Sequence, residues 1–289
     1  MLAIPRTAST SYSMFAFLTA RLDGMTLAGI PIDWVLRTVF SLAFFAGAYQ
    51  LAKRPAHFKD VLGKWMTPVL LVMIAVMFAA GLFYLKDAPA APQQAYADGA
   101  FMKGFVEGYN TMDALASLAF GIVVVQVIQG LGVEKAESVA MTTVRSGILS
   151  CLLMGVIYLL VTLMGVWSRG ALEAAPNGGT ALAQIAQHYL GKAGLLVLAA
   201  TVTLACLKTA VGLITSCAET FVGMFPKGLS YRNWVFVFTG ISFLLANVGL
   251  TAIITYAVPV LMFLYPLAIT LILLALLGHF FDHDRAVYA

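Results

Sequence analysis

Long runs of apolar residues, separated by short polar stretches, make up most of this sequence. A helix needs about 20 mostly apolar residues to cross a membrane. By that length the pattern predicts seven full spans, at residues 34–52, 65–85, 105–130, 144–167, 195–221, 234–248 and 251–278. The pattern therefore predicts an all-α polytopic membrane protein.

The first 20 residues do not make a complete span. A polar run at residues 5–11 precedes a short apolar run at residues 14–18. This order excludes a signal peptide, which would place a clean apolar core after a short charged start. We interpret the segment as a partial N-terminal helix, the second half of a helix that would begin upstream. Residues 279–289 are a short polar stop after the last span.

The composition supports a lipid environment. Apolar residues make up 61% of the chain and charged residues 10%, whereas a soluble domain has about 45–50% and about 25%. The net charge of +4 is small and scattered along the chain, which argues against nucleic acid as a partner. We therefore expect the bilayer to be the main surrounding of this protein.

The sequence offers no motif of an enzyme. The phosphate-binding pattern G-x-x-x-x-G-K-[ST] is absent, and so is the zinc pattern H-E-x-x-H. We therefore expect neither an ATP-driven pump nor a metalloenzyme, and no resident cofactor.

Basic residues are enriched in alternate loops, which sets the orientation of membrane helices. The bias favours a cytoplasmic position for the loop that follows the first full span. With that orientation, residues 86–103 and 168–194 are predicted to be loops on the outer side, where their alanines, prolines and glycines fit.

The first candidate site lies where polar residues interrupt the third span. Gly108, Asn110 and Asp113 are poor helix formers clustered at one level, with Tyr109 and Thr111 between them. The pattern predicts a broken helix, whose exposed backbone can bind a substrate or an ion and whose half-helix N-terminus favours a carboxylate. The alternative interpretation makes Asp113 an N-cap just inside the membrane edge.

The second candidate site is a polar stripe on the fifth span. At about 100° per residue, Thr201, Lys208 and Thr215 fall on one helical face. Thr209 and Ser216 flank that face. Hydroxyl and carbonyl oxygens are suitable ligands for a hard cation such as sodium, so the stripe is a candidate for ion coupling.

Two further interpretations of that stripe stay open. The hydroxyls could bond only to their own helix. Lys208 could snorkel to the interface, or it could pair with Asp113, occupy a cation site or carry a proton. A lysine in the middle of a span needs a partner or water.

Several separated motifs resemble one family. The runs GYNTMDALA at 108–116 and ACLKTAVGL at 205–213 look like the branched-chain amino acid transport system II carriers (BrnQ-type, LIVCS family). Shorter matches occur in the same order along the chain, at residues 4–8, 67–70, 247–250 and 258–261. The likeness extends over nearly the whole sequence.

The resemblance implies a fold and a function. The family belongs to the amino acid–polyamine–cation superfamily, with a LeuT-like fold of two inverted five-helix repeats. Its members are symporters that import leucine, isoleucine and valine with sodium or protons across the bacterial cytoplasmic membrane. This implies that residues 1–289 are a single transmembrane carrier domain without the first and last helices of the family. The alternative is an inactive truncated fragment that lacks the half of the site carried by the first helix.

The resemblance also suggests roles for individual residues. Residues 105–127 would be the broken sixth helix, in which the substrate-binding candidates face the substrate: Gly108, Tyr109, Asn110, Thr111 and Asp113. Residues 201–221 would be the eighth helix, which carries the ion-coupling candidates Lys208, Thr209, Thr215 and Ser216. The apolar part of the substrate would lie among Phe105, Ala116 and Phe120.

Overall fold

The structure is a computed structural model. It describes residues 3–19, 26–27, 30–53, 68, 72, 75–76, 78–79, 90–92, 94–133 and 135–277. The predicted span at residues 65–85 lies largely outside this part of the chain. The described positions within that span are helical.

The described chain begins with helix α1 (Ala3–Thr19), so most of the first 20 residues form a helix as predicted. A two-residue antiparallel ladder follows, formed by β1 (Thr26–Leu27) and β2 (Ile30–Pro31). Helix α2 (Ile32–Ala52) starts directly after this ladder and matches the first predicted span. The ladder is a small departure from the all-α prediction.

The middle of the described chain contains a helix in two parts. The short helices α3 (Gln94–Ala97) and α4 (Ala100–Glu107) come first. A 3₁₀ turn (Gly108–Thr111) then leads to helix α5 (Asp113–Gly130). The third predicted span is therefore interrupted, and α3 and the start of α4 are helical where the sequence predicted an outer loop.

The C-terminal half consists of long helices. They are α6 (Ala136–Ser168), α7 (Gly178–Met224), α8 (Tyr231–Ala246) and α9 (Leu250–Leu277). Helix α9 contains Pro259 and Pro266 without ending at either, which agrees with the tolerance of membrane helices for proline.

The predicted outer loop at residues 168–194 is wrong for most of its length. Helix α7 already begins at Gly178, where Asn177 accepts a hydrogen bond from the Thr180 backbone N–H at 2.9 Å. A kink at Gly191, with φ 65° and ψ −161°, divides α7 into two helical parts. Only glycine adopts such angles without strain, so the position of the glycine explains where the helix bends.

Helices α1, α2, α7 and α8 pack closely together, and we call them the inner unit. Ala48 and Ala210 are fully buried in it, and small residues of this kind let helix backbones approach one another in lipid. The ring of Phe238 lies 5.1 Å from that of Phe221 and 5.5 Å from that of Trp234, measured between centroids. Close backbones and stacked rings together form the main core.

Hydrogen bonds between helices also join the inner unit. The buried Ser9 hydroxyl on α1 donates to the carbonyl of Ala246 on α8 at 3.0 Å. The Tyr231 hydroxyl on α8 donates to the carbonyl of Ala52 on α2 at 2.9 Å. Each bond satisfies the carbonyl at a helix C-terminus, which has no partner within its own helix.

Four of the remaining helices, α4, α5, α6 and α9, are more open, and we call them the outer unit. The most apolar stretch of α6 has a mean hydropathy of 2.4, yet only 6% of it is buried within the protein. The corresponding stretch of α9 is 22% buried. These apolar surfaces are the ones available to lipid or to further helices.

Four of the described helices are long and apolar enough to cross a membrane: Ile32–Ala52, Ala136–Ser168, Gly178–Met224 and Leu250–Ala275. Each contains or overlaps one predicted span. Of the other three predicted spans, one is the 16-residue helix α8, one is the interrupted helix α4–α5, and one lies largely outside the described residues.

Candidate functional site

The break between α4 and α5 is the most unusual backbone feature of the outer unit. The 3₁₀ turn is closed by the Thr111 hydroxyl, which donates to the Gly108 carbonyl at 2.7 Å. Met112 follows in the left-handed region with φ 62°, and it is the only non-glycine residue with positive φ in the part of the chain that the structure describes. Such a conformation is uncommon outside glycine and indicates a constrained position.

Met112 is held there by helix α9. Its side chain is 8% exposed and packs in one cluster with Ala257, Leu261 and Tyr265. Burial of this side chain offsets the cost of its backbone conformation. The predicted helix break is therefore confirmed, and α9 is the element that supports it.

The alternative interpretation of Asp113 as an N-cap is wrong. The residue that caps α5 is Met112, and no side chain forms the capping hydrogen bond. Asp113 is instead the first residue inside α5. Its carboxylate accepts a hydrogen bond of 2.7 Å from the Tyr158 hydroxyl on α6, 45 residues away along the chain.

A second tyrosine lies beside this pair. Tyr265 is 3% exposed and packs with Met112 and Ala114 at the start of α5. The polar groups of α5, α6 and α9 thus meet at the helix break. We call Thr111, Asp113, Tyr158 and Tyr265 the break cluster.

The break cluster combines two kinds of electrostatic environment. The carboxylate of Asp113 attracts a cationic group. The first backbone N–H groups of α5 have no partner within the helix until Ala116, whose N–H bonds to the Met112 carbonyl at 2.8 Å. Open N–H groups at a helix N-terminus favour an anionic group. A zwitterion could satisfy both.

The structure places all five sequence candidates for substrate binding at the break. The 3₁₀ turn contains Gly108, Tyr109, Asn110 and Thr111, and Asp113 follows as the first residue of α5. The side chains of Tyr109 and Asn110 lie outside the described part of the structure. Their roles in binding stay predictions.

The sequence analysis missed Tyr158. A tyrosine within the apolar stretch of α6 is a signal that could have identified it, because a polar group in a span needs a partner. Its partner, however, is on another helix, and no local pattern indicates which one.

The structure separates the candidates on α7. Thr209 is exposed, and its hydroxyl donates to the carbonyl of Ala205 in its own helix at 3.0 Å. Thr215 and Ser216 are 6% and 5% exposed and belong to the interior of the inner unit. Lys208 is half-buried and makes interactions within the protein.

Helix α7 also brings the two units into contact. Gly212 lies against the ring of Phe120 on α5, and a Cβ atom at this glycine would be 2.7 Å from Phe120 Cε1. A side chain larger than hydrogen would therefore push the ring aside. The stripe on α7 and the helix break belong to elements that touch at this point.

The fold and the site together define a multi-pass helical membrane protein whose broken helix carries a polar cluster. The chain belongs to the family described as branched-chain amino acid transport protein, whose model matches residues 1–289.

Relatives with established names agree with this family. The chain is 50% identical to the branched-chain amino acid permease BrnQ of Lactobacillus delbrueckii subsp. lactis, over 86% of this chain and 56% of the relative. It is 36% identical to the branched-chain amino acid permease BraB of Bacillus subtilis, over 100% of this chain and 63% of the relative. It is 32% identical to BrnQ of Escherichia coli over the same shares.

The chain thus spans less than two thirds of the length of these relatives. All three relatives are named as permeases, not as enzymes. No solved structure matches the chain.

Proposed function

We propose that this chain takes part in importing leucine, isoleucine or valine across the bacterial cytoplasmic membrane, as a symporter driven by sodium ions or protons. The observation that carries the proposal is the break cluster, in which a carboxylate bonded to a tyrosine hydroxyl lies at a helix N-terminus, beside a second, buried tyrosine. Membership of the branched-chain amino acid transport family supports the substrate class.

An amino acid has features that match this site. Its ammonium group would be attracted by Asp113, and its carboxylate by the open N–H groups at the start of α5. Its branched side chain would lie among apolar groups, for which Phe105, Ala116 and Phe120 are the candidates. Phe120 also contacts Gly212 on α7, so substrate at this position would lie close to the contact between the two units.

The LeuT-like arrangement of inverted repeats is part of this proposal. In many carriers one set of helices rocks against another around a central site. The contrast between the closely packed inner unit and the open outer unit supports such a division, because the broken helix belongs to the open one.

For ion coupling, the burial of Thr215 and Ser216 favours them over Thr209 as sodium ligands. Oxygen ligands to a cation must be held in place, and two hydroxyls enclosed by packed helices meet that need better than an exposed one. Lys208 is the candidate for a proton-coupled mechanism, since it is the ionisable group of the stripe that lies in mid-span.

Uptake of labelled isoleucine into proteoliposomes tests the proposal. The vesicles would contain this chain as it stands, with a sodium gradient, with a pH gradient, or with neither. We expect uptake that depends on one gradient. Asp113→Asn should lower it by roughly tenfold or more, because a hydrogen bond to a charged group contributes about 1.5–3 kcal/mol.

The matched control is Asp98→Asn, which changes an exposed carboxyl in the turn before α4 and should leave uptake unchanged. Equal uptake by both variants would reject Asp113 as a substrate ligand. No uptake by the parent chain under either gradient would favour the alternative, an inactive membrane fragment.

A further inference from the structure

A cavity of about 360 Å³ lies between α1, α6, α7 and α9. Its lining shares no residue with the break cluster. We propose that this cavity is a second binding site, which takes a carboxylate that carries a short branched apolar chain. The choice of a branched-chain amino acid as the natural ligand rests on the proposed function, but the recognition of a carboxylate does not.

Arg6 supplies the charge that such a ligand needs. Among the described residues that line the cavity, it is the only charged one. A guanidinium has five N–H donors in a planar fork that matches a carboxylate. Arg6 also interacts with its own protein, and five donors leave capacity for ligand oxygens. A charge on a helix within apolar surroundings is a candidate for function.

Two other polar features line the cavity. The hydroxyl-bearing Thr10 lies one helical turn after Arg6 on α1. Gly178 and Gly179, at the start of α7, line it farther along α1, since Gly179 lies beside Ser13. The first N–H groups of α7 also favour an anion, so Arg6 and the start of α7 are two separate features of the wall that attract negative charge.

The rest of the wall is apolar and suits a branched aliphatic chain. It includes Met14, Met164, Leu182, Leu250 and Ile254 from four different helices. Methionine side chains adapt to irregular ligand shapes. A cavity with apolar walls and a few convergent polar groups is the usual form of a small-molecule site, and about 360 Å³ lies at the small end of the usual range of roughly 300–1,000 Å³.

Photo-crosslinking tests the proposal on the intact chain. The purified protein in lipid nanodiscs would be irradiated with a leucine analogue that carries a diazirine, and the modified peptides would be identified by mass spectrometry. We expect adducts on cavity residues such as Met14, Met164 or Leu182. Arg6→Gln should reduce them roughly tenfold or more, because a charge-assisted hydrogen bond is lost.

The matched control is Arg169→Gln, which removes a guanidinium that bonds to the Leu172 carbonyl at the end of α6 and does not line the cavity. It should leave the cavity adducts unchanged. If Arg6→Gln fails to fold, Ile254→Trp provides a second test, because the larger side chain would fill part of the cavity without changing its charge. The same loss of adducts is expected.

Competition identifies the recognised group. Isoleucine and 4-methylpentanoate, which both have a carboxylate, should prevent crosslinking in the cavity, whereas 3-methylbutylamine should not. A long-chain fatty acid that competes better than isoleucine would assign the cavity to lipid carboxylates. Equal competition by the amine, or cavity adducts that persist in Arg6→Gln, would overturn the proposal.

The same experiment separates this proposal from the proposed function. Adducts confined to residues 108–113 would reject the second site and support the break cluster as the substrate site. Adducts in the cavity that survive Asp113→Asn, in a chain that shows no uptake, would support the second site without the transport function.

Discussion

The inner unit is less apolar but more buried than the outer unit, as one helix from each shows. Helix α2 of the inner unit has a mean hydropathy of 1.3 over its most apolar stretch and is 28% buried there. Helix α6 of the outer unit reaches 2.4 and is only 6% buried. In a soluble protein the more apolar helix would be the more enclosed one.

The difference shows what holds membrane helices together. Lipid solvates apolar side chains as well as a protein interior does, so hydropathy alone gives no reason for two helices to associate. The inner unit is joined by small residues, stacked rings and hydrogen bonds between helices. The outer unit has fewer such contacts and carries the break cluster, which suits a part of the molecule that changes shape.

The largest expected effect concerns a core ring of the inner unit. Phe238→Ala removes a side chain that is 2% exposed and lies 5.1 Å from the ring of Phe221. We expect the free energy of unfolding in mixed micelles to fall by about 2–3 kcal/mol. This is less than the cost of about 3–5 kcal/mol in a soluble core, because detergent and lipid solvate the ring in the unfolded state.

The matched control for that prediction is Phe263→Ala on α9, where the side chain is 72% exposed. The free energy of unfolding should change by less than about 0.5 kcal/mol. If the two variants lose equal stability, the distinction between an inner and an outer unit is wrong.

A smaller effect is expected where the two units touch. Gly212→Ala would place a Cβ atom 2.7 Å from Phe120 Cε1, so the Phe120 ring must move. The expected cost is about 1 kcal/mol, measured as a lower midpoint of unfolding. Gly121→Ala on α5 is the control, because a Cβ atom added there would meet no neighbouring side chain within 4 Å.

The two glycine variants should differ in sign. In open space, alanine stabilises a helix by up to about 1 kcal/mol relative to glycine, so Gly121→Ala should raise the midpoint. A rise for both variants would mean that Phe120 moves aside without cost and that the contact between the units is loose.

Sequence patterns could predict the spans because hydropathy is a local property. They predicted the break as well, since Gly108 and Asn110 disfavour a helix wherever they lie. They could not predict that Met112 takes the left-handed conformation, because the buried contacts with Ala257 and Leu261 that hold it there come from a distant helix.

Contacts between residues far apart in the sequence also explain the other differences between the predicted and the observed structure. Residues 168–194 contain many small residues that are typical of loops, yet Asn177 caps a helix there and Gly191 bends it. The bond between Tyr158 and Asp113 joins two helices, and one sequence does not indicate which helices are neighbours. Which spans form the inner unit depends on such pairings and not on the composition of any span.

The smallest expected effect compares two ion pairs with the same spacing in sequence. In the inner unit, Asp33 accepts from Arg37 Nη2 at 2.8 Å and from the Tyr12 hydroxyl at 2.6 Å. In the outer unit, Lys103 pairs with Glu107 at 3.0 Å. An exposed ion pair within one helix adds little stability, whereas a carboxylate that also joins two helices adds more.

Asp33→Asn should therefore lower the free energy of unfolding by about 0.5 kcal/mol, a figure reduced for the 41% exposure of its side chain. Glu107→Gln should leave it unchanged within error. A larger effect at Glu107 than at Asp33 would mean that the outer unit depends on its surface charges, and that packing between helices is not what distinguishes the two units.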